Sequence, residues 1–184
     1  MFKIVTIEDT VRVPPNRFGE PLEETVLDLL KKSYLGMTDK DVGTVLSIIE
    51  VKEIGQGRII MGDGASYHDV VFDTLVFKPE LNEVVVGEVV EIVDFGAFVR
   101  IGPLDALAHV SQVMDDFVGY DRKKRVLYGK EKNLTLREGD KVRARIVSIG
   151  MKRGKGGKIA LTMRQPGLGK LEWLEEKAKK GEKS

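Results

Sequence analysis

Gly87-Glu88-Val89-Val90-Glu91-Ile92-Val93-Asp94-Phe95-Gly96-Ala97-Phe98-Val99-Arg100-Ile101 is the stretch on which the reading of this chain turns. β-Branched residues crowd both sides of Asp94-Phe95-Gly96, so the pattern predicts strands over 84–93 and 97–101 joined by a tight connection. In an unbroken strand Phe95 and Phe98 would point to opposite faces, because side chains alternate with a period of two. A glycine between them can break that period, and a turn or bulge at Gly96 would bring both rings to one surface, where parity already places Arg100 with Phe98. Two exposed rings on a flat sheet form a stacking platform for unpaired bases. The bland alternative is that they fill a barrel core.

Outward from this stretch, further short strands are expected at 106–109, 141–149 and 158–163. Five strands spaced by turns make an OB-type barrel, placed at 82–166. An insertion over 115–138 interrupts it and holds Arg122-Lys123-Lys124-Arg125, with ends that could pair as a hairpin. Residues 167–184 read as a short helix with Leu171, Trp173 and Leu174, followed by a charged tail.

Upstream, residues 1–81 form a different pattern. One long strand is expected over 2–13, stopped by Pro14-Pro15; Pro21 opens a helix with Val26, Leu27, Leu29, Leu30 and Tyr34 on one side and Gly36 as its stop. Glu23 and Glu24 stand early in it and Lys31 and Lys32 late, complementing the helix dipole. Strands return at 44–54, 57–61 and 69–77, punctuated by Gly55-Gln56-Gly57 and Gly62-Asp63-Gly64. The fold class is therefore α+β: an amino-terminal helix-on-antiparallel-sheet domain followed by the OB-type five-stranded β-barrel.

Charge is segregated along the 184 residues although the formal total is only +1. Residues 1–80 carry 9 Lys and Arg against 14 Asp and Glu, and residues 81–118 carry 1 against 7. Residues 119–158 reverse this with 14 against 4, so any polyanion-facing surface lies in the second half. Its candidates are Arg122, Lys123, Lys124, Arg125, Arg143, Arg145, Lys152, Arg153, Lys155 and Lys158, because clustered cations release counterions together.

Several chemistries are disfavoured. The chain has no cysteine, which removes disulfides and thiolate sites, and two histidines cannot make a zinc site alone. Gly154-Lys155-Gly156-Gly157-Lys158 lacks the Walker spacing and the Ser or Thr after lysine. The paired glycines at 55–57 and 62–64 lie between strands rather than before a helix, against a dinucleotide fold. Asp115-Asp116 is a solvated pair more readily than a metal site. No catalytic cluster, metal or cofactor is expected, no stretch reaches the roughly 20 apolar residues of a membrane span, and a cytoplasmic setting is the expectation.

The opening stretch, completed by Leu107-Ala108-His109-Val110-Ser111, resembles the S-one RNA-binding domain, an OB-fold module. That resemblance implies base contacts by Phe95, Phe98 and His109; where the family often has an acidic residue on the fourth strand this chain has Ser148, and the basic partner falls near Lys158. The first half narrows the family. Phe2-Lys3-Ile4-Val5, Val11-Arg12-Val13-Pro14-Pro15, the helix from Leu22, and Gly43-Thr44-Val45-Leu46 through Phe72, Lys78 and Pro79 resemble the E-prime family of archaeal RNA polymerase subunits. Its eukaryotic counterpart is the seventh subunit of RNA polymerase II.

The family resemblance implies a non-catalytic stalk that pairs as a heterodimer with the polymerase's F subunit, docks on the polymerase core and binds emerging single-stranded RNA. Docking is then expected at Pro14, Pro15, Asn16 and Arg17 and at Gly55, Gln56, Gly57, Gly62, Asp63 and Gly64. An RNA-binding cap of an exosome-like degradation complex and a free-standing ribonuclease are the other readings of the barrel taken alone.

Overall fold

The structure is a computed structural model describing residues 1–152 and 155–181, without the side chains of 151–157, 177, 180 and 181. Two compact units emerge, one holding Met1–Lys78 and one holding Pro79–Met151 and the residues from Gly156 on.

In the first unit β1 (Phe2–Val13) runs into a 3₁₀ turn at Pro15–Arg17 and then α1 (Leu22–Tyr34). β2 (Thr38–Asp39), β3 (Gly43–Ile54), β4 (Arg58–Ile59) and β5 (Ser66–Phe77) complete an antiparallel sheet of order β1-β5-β3-β2, with β4 also on β5. β1 and β5 pair without a break from Phe2↔Phe77 to Val13↔Ser66. β3 instead shifts register against β5 three times, between Val45 and Ser47, Ile48 and Glu50, and Val51 and Glu53. Each bulge inserts one residue, so inward positions recur every third residue, at Val45, Ile48, Val51 and Ile54.

α1 covers the sheet with Val26 and Leu30 fully buried and Leu27, Leu29 and Tyr34 packed beside them, against Val11, Val13, Val70, Phe72 and Val76. Leu35 N–H donates to Lys31 O at 3.1 Å, and Gly36 at φ +78° turns the chain where a side chain would be strained. The strand expected over 57–61 is shorter, because only Arg58 and Ile59 find partners, Tyr67 and Ser66. β5 begins earlier than expected, since Ser66, Tyr67 and His68 pair with Val13, Arg12 and Val11 despite their polarity.

Carboxylates fasten the surface of this unit. Asp28 is lowered from the ordinary carboxylate range by Lys32 and Arg17, and Asp63 strongly so by Arg12 and Tyr67. Asp69 is lowered by Thr10 and Arg58, and Asp73 by Lys52 and Thr6. A carboxylate whose folded pKa is depressed contributes stability that is present above its unfolded value, about 3.9, and is lost as pH falls below it. The melting temperature is therefore expected to be level from pH 7 to about 5 and to drop below about 4. An unchanged melting temperature at pH 3, read by circular dichroism, would show that these pairs contribute nothing.

The second unit is a closed barrel. β6 (Val84–Val93), β7 (Gly96–Ile101), β8 (Leu104–His109), β12 (Lys141–Lys152) and β13 (Lys155–Thr162) close in the order β13-β8-β7-β6-β12, with β12 also on β13. β13 joins β8 in parallel, through Ala160↔Leu107 and Leu161↔Ala108. Val85, Val89, Ile92, Ala97, Val99, Ile101, Ala108, Ala144, Ile146 and Leu161 fill its interior.

After β8 comes a four-residue helix α2 (Val110–Val113), and then β9 (Val118–Asp121), β10 (Val126–Gly129) and β11 (Thr135–Leu136). The insertion is thus a three-stranded sheet of order β11-β10-β9 rather than a single hairpin, with Leu127 paired opposite Leu136 and both fully buried. β14 (Gly169–Lys170) pairs with the start of β12 and leads into α3 (Leu171–Gly181).

Candidate nucleic-acid interface

Phe95 and Phe98 do reach one surface. Their ring centroids lie 6.2 Å apart at 87°, an edge-to-face pair. Phe95 is 47% exposed and Phe98 half-buried, whereas Ala97, Val99 and Ile101 face the core, so the pair is not core filler. Gly96 makes this possible by close approach: a methyl there would fall 2.3 Å from Ala108 O. The strand consequently lies flat on β8 and the connection folds back with Val110 N–H donating to Phe95 O at 2.9 Å.

His109 stands directly across from Gly96 and is exposed. It caps α2: its Nδ1 accepts from Ser111 N at 3.3 Å and lies 2.8 Å from Ser111 Oγ. A neutral ring accepting at Nδ1 carries its proton on Nε2, which leaves that nitrogen a donor. Lys158 is exposed two residues before Ala160, which pairs with Leu107, itself opposite Phe98; the lysine therefore borders the same outer face.

Other sequence candidates fall elsewhere. Arg100 is held by Asp105 at 2.9 Å, its guanidinium pKa raised first by that hydrogen bond, so its charge is already matched. Arg143 and Arg145 pair opposite Val86 and Val84, five or more residues along β6 from Glu91, which pairs with Phe98. At 3.3 Å per residue this is ~17 Å, so the ring face and these arginines form separate patches. Arg145 Nε is enclosed without a hydrogen-bond partner, and Arg143 Nη1 reaches Gly167 O at 3.5 Å. Ser148 is exposed. The side chains of Lys152, Arg153 and Lys155 lie outside the described residues.

Arg122, Lys123, Lys124 and Arg125 are all exposed at the turn between β9 and β10. Asp121 Oδ1 accepts from the backbone N–H of Lys123 at 2.9 Å and Lys124 at 3.1 Å, and Arg125 adopts φ +50°. A rigid turn thus presents four cations, none in an ion pair among the described residues.

Sequence reasoning missed a cleft beside this face. About 520 Å³ in volume, it is lined by Val110, Ser111, Phe117, Lys132 and Arg164, among others. Asp115 holds Lys132 and Arg164, each at 3.2 Å, and its pKa is lowered by the two. Asp116 is lowered too, first by the backbone N–H of Lys132. Far from being merely solvated, the Asp-Asp pair shapes the wall. Among the described residues no group of three or more His, Asp or Glu could hold a metal, and no helix is long and apolar enough to cross a membrane.

In the first unit the two expected docking loops converge: Val13, Arg17, Phe18, Leu22, Ile59 and His68 line a hollow of about 350 Å³. Arg17 is fixed by Glu20 and Asp28, each at 2.5 Å, and Asp63 by Arg12 and Tyr67. His68 Nδ1 donates to Gly55 O at 2.9 Å while Nε2 lies 2.9 Å from Ser66 Oγ, and a methyl on Gly57 would fall 2.3 Å from that oxygen. Between these anchors the loop exposes Ile59, Ile60 and Met61, the last completely, beside an exposed Phe18. Contiguous exposed apolar side chains mark a contact surface.

Comparison with known proteins follows the same division. Residues 8–64 match the family described as the SHS2 domain found in the N terminus of Rpb7p and Rpc25p, and residues 78–160 match the S1 RNA binding domain. These two modules define the class, an S1-domain protein with an SHS2 domain ahead of the barrel. DNA-directed RNA polymerase subunit Rpo7 of Saccharolobus shibatae is 44% identical over 180 residues, covering 97% of this chain and 100% of that protein. The Sulfolobus acidocaldarius Rpo7 is 42% identical over 183 residues, covering 100% of both chains. More distantly, RNA polymerase III subunit rpc8 of Schizosaccharomyces pombe is 30% identical over 105 residues, 57% of this chain and 52% of its own. The chain belongs to the Rpo7 family of DNA-directed RNA polymerase subunits.

Proposed function

We propose that this polymerase subunit is a non-catalytic stalk component that pairs with the polymerase's smaller F subunit, and that it binds single-stranded RNA emerging during transcription. The observation that carries the RNA reading is the exposed Phe95–Phe98 ring pair beside His109 in an S1 barrel. Stacking on rings tolerates any base, and the cations of the 122–125 turn supply the backbone attraction that stacking lacks. Lys158 adds a cation at the edge of the ring face.

Docking on the polymerase core is assigned to the loop of Pro14, Pro15, Asn16 and Arg17 and to the 55–64 loop of the first unit, where Arg17 shares a hollow with Ile59 and the run Ile59-Ile60-Met61 is exposed. The acidic balance of residues 1–80 favours a protein contact there over a phosphate contact.

Affinity purification of the tagged chain from its host tests the assembly, and the expected yield is polymerase subunits, the smaller F subunit included. Recovery of a phosphorolytic ring instead would move the protein to RNA decay. Titration with a single-stranded RNA at several salt concentrations tests the cationic turn. Each phosphate neutralised on a single strand adds about 0.7 to the salt slope, so replacing Arg122, Lys123, Lys124 and Arg125 by alanine should flatten it by up to about 2.8. A slope equal to the wild type would exclude the turn from the RNA path.

A further inference from the structure

Phe117 is 73% exposed, yet its backbone is clamped on both sides. Asp116 Oδ1 accepts from Phe117 N at 2.6 Å, and Phe117 O accepts from Lys130 N at 2.9 Å. The same Asp116 carboxylate accepts from Glu131 N and Lys132 N, at 3.2 and 2.9 Å, pinning the turn that follows β10. A ring whose backbone is fixed this way is preorganised to stack on a ligand, with little further ordering required.

Its surroundings are directional. The cleft over which Phe117 stands has Val110 and Ser111 in its wall, the first turn of α2. That turn is capped by His109, and Val110 N–H donates to Phe95 O. The cleft is therefore contiguous with the ring face. In the other direction β9 begins at Val118 and its turn starts at Arg122, five residues or ~17 Å beyond Phe117.

We propose that Phe117 is a further stacking platform for one base of single-stranded RNA, lying between the Phe95–Phe98–His109 face and the basic turn. The inference rests on the RNA-binding reading above and extends its path. Val110 and Val118 offer apolar wall to the flat face of a base, and the cleft of about 520 Å³ lies within the range of small-ligand sites. Continuity with the Phe95–Phe98 face favours RNA over a protein partner. Asp115, Asp116 and Glu131 share the wall with Lys132 and Arg164, and Asp115 pairs with both cations. The ring takes the base, and the backbone attraction comes from the 122–125 turn rather than from Lys132 and Arg164, whose charges Asp115 already engages.

The test uses the full chain and a single-stranded RNA long enough to run from the ring pair to the turn, with Phe117→Ala, Phe117→Trp and the Phe95→Ala/Phe98→Ala variant side by side. Phe117→Ala should bind about tenfold more weakly with an unchanged melting temperature, since one stacked base is lost and no core is touched. Phe117→Trp should keep its affinity and show indole quenching on RNA addition; the natural chain has one tryptophan, so the signal is the difference from wild type. Full affinity in Phe117→Ala, or no quenching in Phe117→Trp, while the ring-pair variant weakens binding, overturns the platform and leaves the RNA reading standing. Phe117→Ala that binds RNA normally but loses a polymerase subunit makes it a protein contact. Failure of the wild type to bind RNA at all removes the reading on which the platform rests.

Discussion

Alanine at both Phe95 and Phe98 should weaken single-stranded RNA binding by on the order of 100-fold, with a range from roughly 30-fold to 10⁴-fold. Each base stacked on an aromatic ring contributes about 1–3 kcal/mol, and about 1.4 kcal/mol is tenfold in affinity. The two rings also brace each other edge to face at 6.2 Å, so removing one loosens the other. Stability should change little, because the barrel interior is built by Ala97, Val99 and Ile101, which remain. Core rings would behave oppositely, costing about 3–5 kcal/mol each on truncation. Anisotropy titration with a melting curve on the same sample decides it: unchanged RNA affinity in a folded variant would exclude the pair from the interface.

Phe72→Ala is the opposite experiment, expected to spare RNA binding and cost the first unit about 3–5 kcal/mol. Phe72 is fully buried where β5 crosses the sheet centre, paired to Ile7 on one side and Val51 on the other. Its ring meets Tyr34 of α1 edge to face at 5.2 Å, and the Tyr34 hydroxyl in turn donates to Asp9. Truncation therefore opens a cavity in the layer where helix and sheet meet. Domain stabilities of about 5–15 kcal/mol leave little after such a loss. Urea unfolding should show an early transition for the first unit, with RNA affinity retained and recovery of polymerase subunits lost. A single unshifted transition would contradict the packing described for α1.

These two variants also mark what the sequence conveys. Alternation made β1 and β6–β8 readable, and helix punctuation by Pro21 and Gly36 placed α1, because both signals are local. Ile59-Ile60-Met61 misled the strand reading, since an apolar run marks burial or contact and says nothing of which partner strand is in reach. Ser66, Tyr67 and His68 hid the start of β5 for the converse reason: a long neighbour, β1, supplies the pairing that their polarity does not advertise.

Within the candidate site, Phe95, Phe98 and His109 were legible from the motif and the structure does bring them together. Arg100 was legible as a cation but not as one matched by Asp105, a residue on the adjacent strand whose register no local pattern fixes. A lone phenylalanine beside Asp115-Asp116 has no periodic signal, so nothing local marks Phe117; its exposure in the fold sets it apart.

The inserted sheet has a bearing on how the barrel assembles in time. β6 must find β12 across the whole insertion, as in the pairing of Val85 with Ala144. Closing so long a loop is slow in proportion to its entropy, but that entropy grows only by about 0.6 kcal/mol for each doubling of length. β9 and β10 meet across a four-residue turn, a local event that can precede barrel closure and take its residues out of the searching chain. The basic turn therefore sits on a cassette whose length can change at little entropic cost while the barrel around it continues to fold at nearly the same rate.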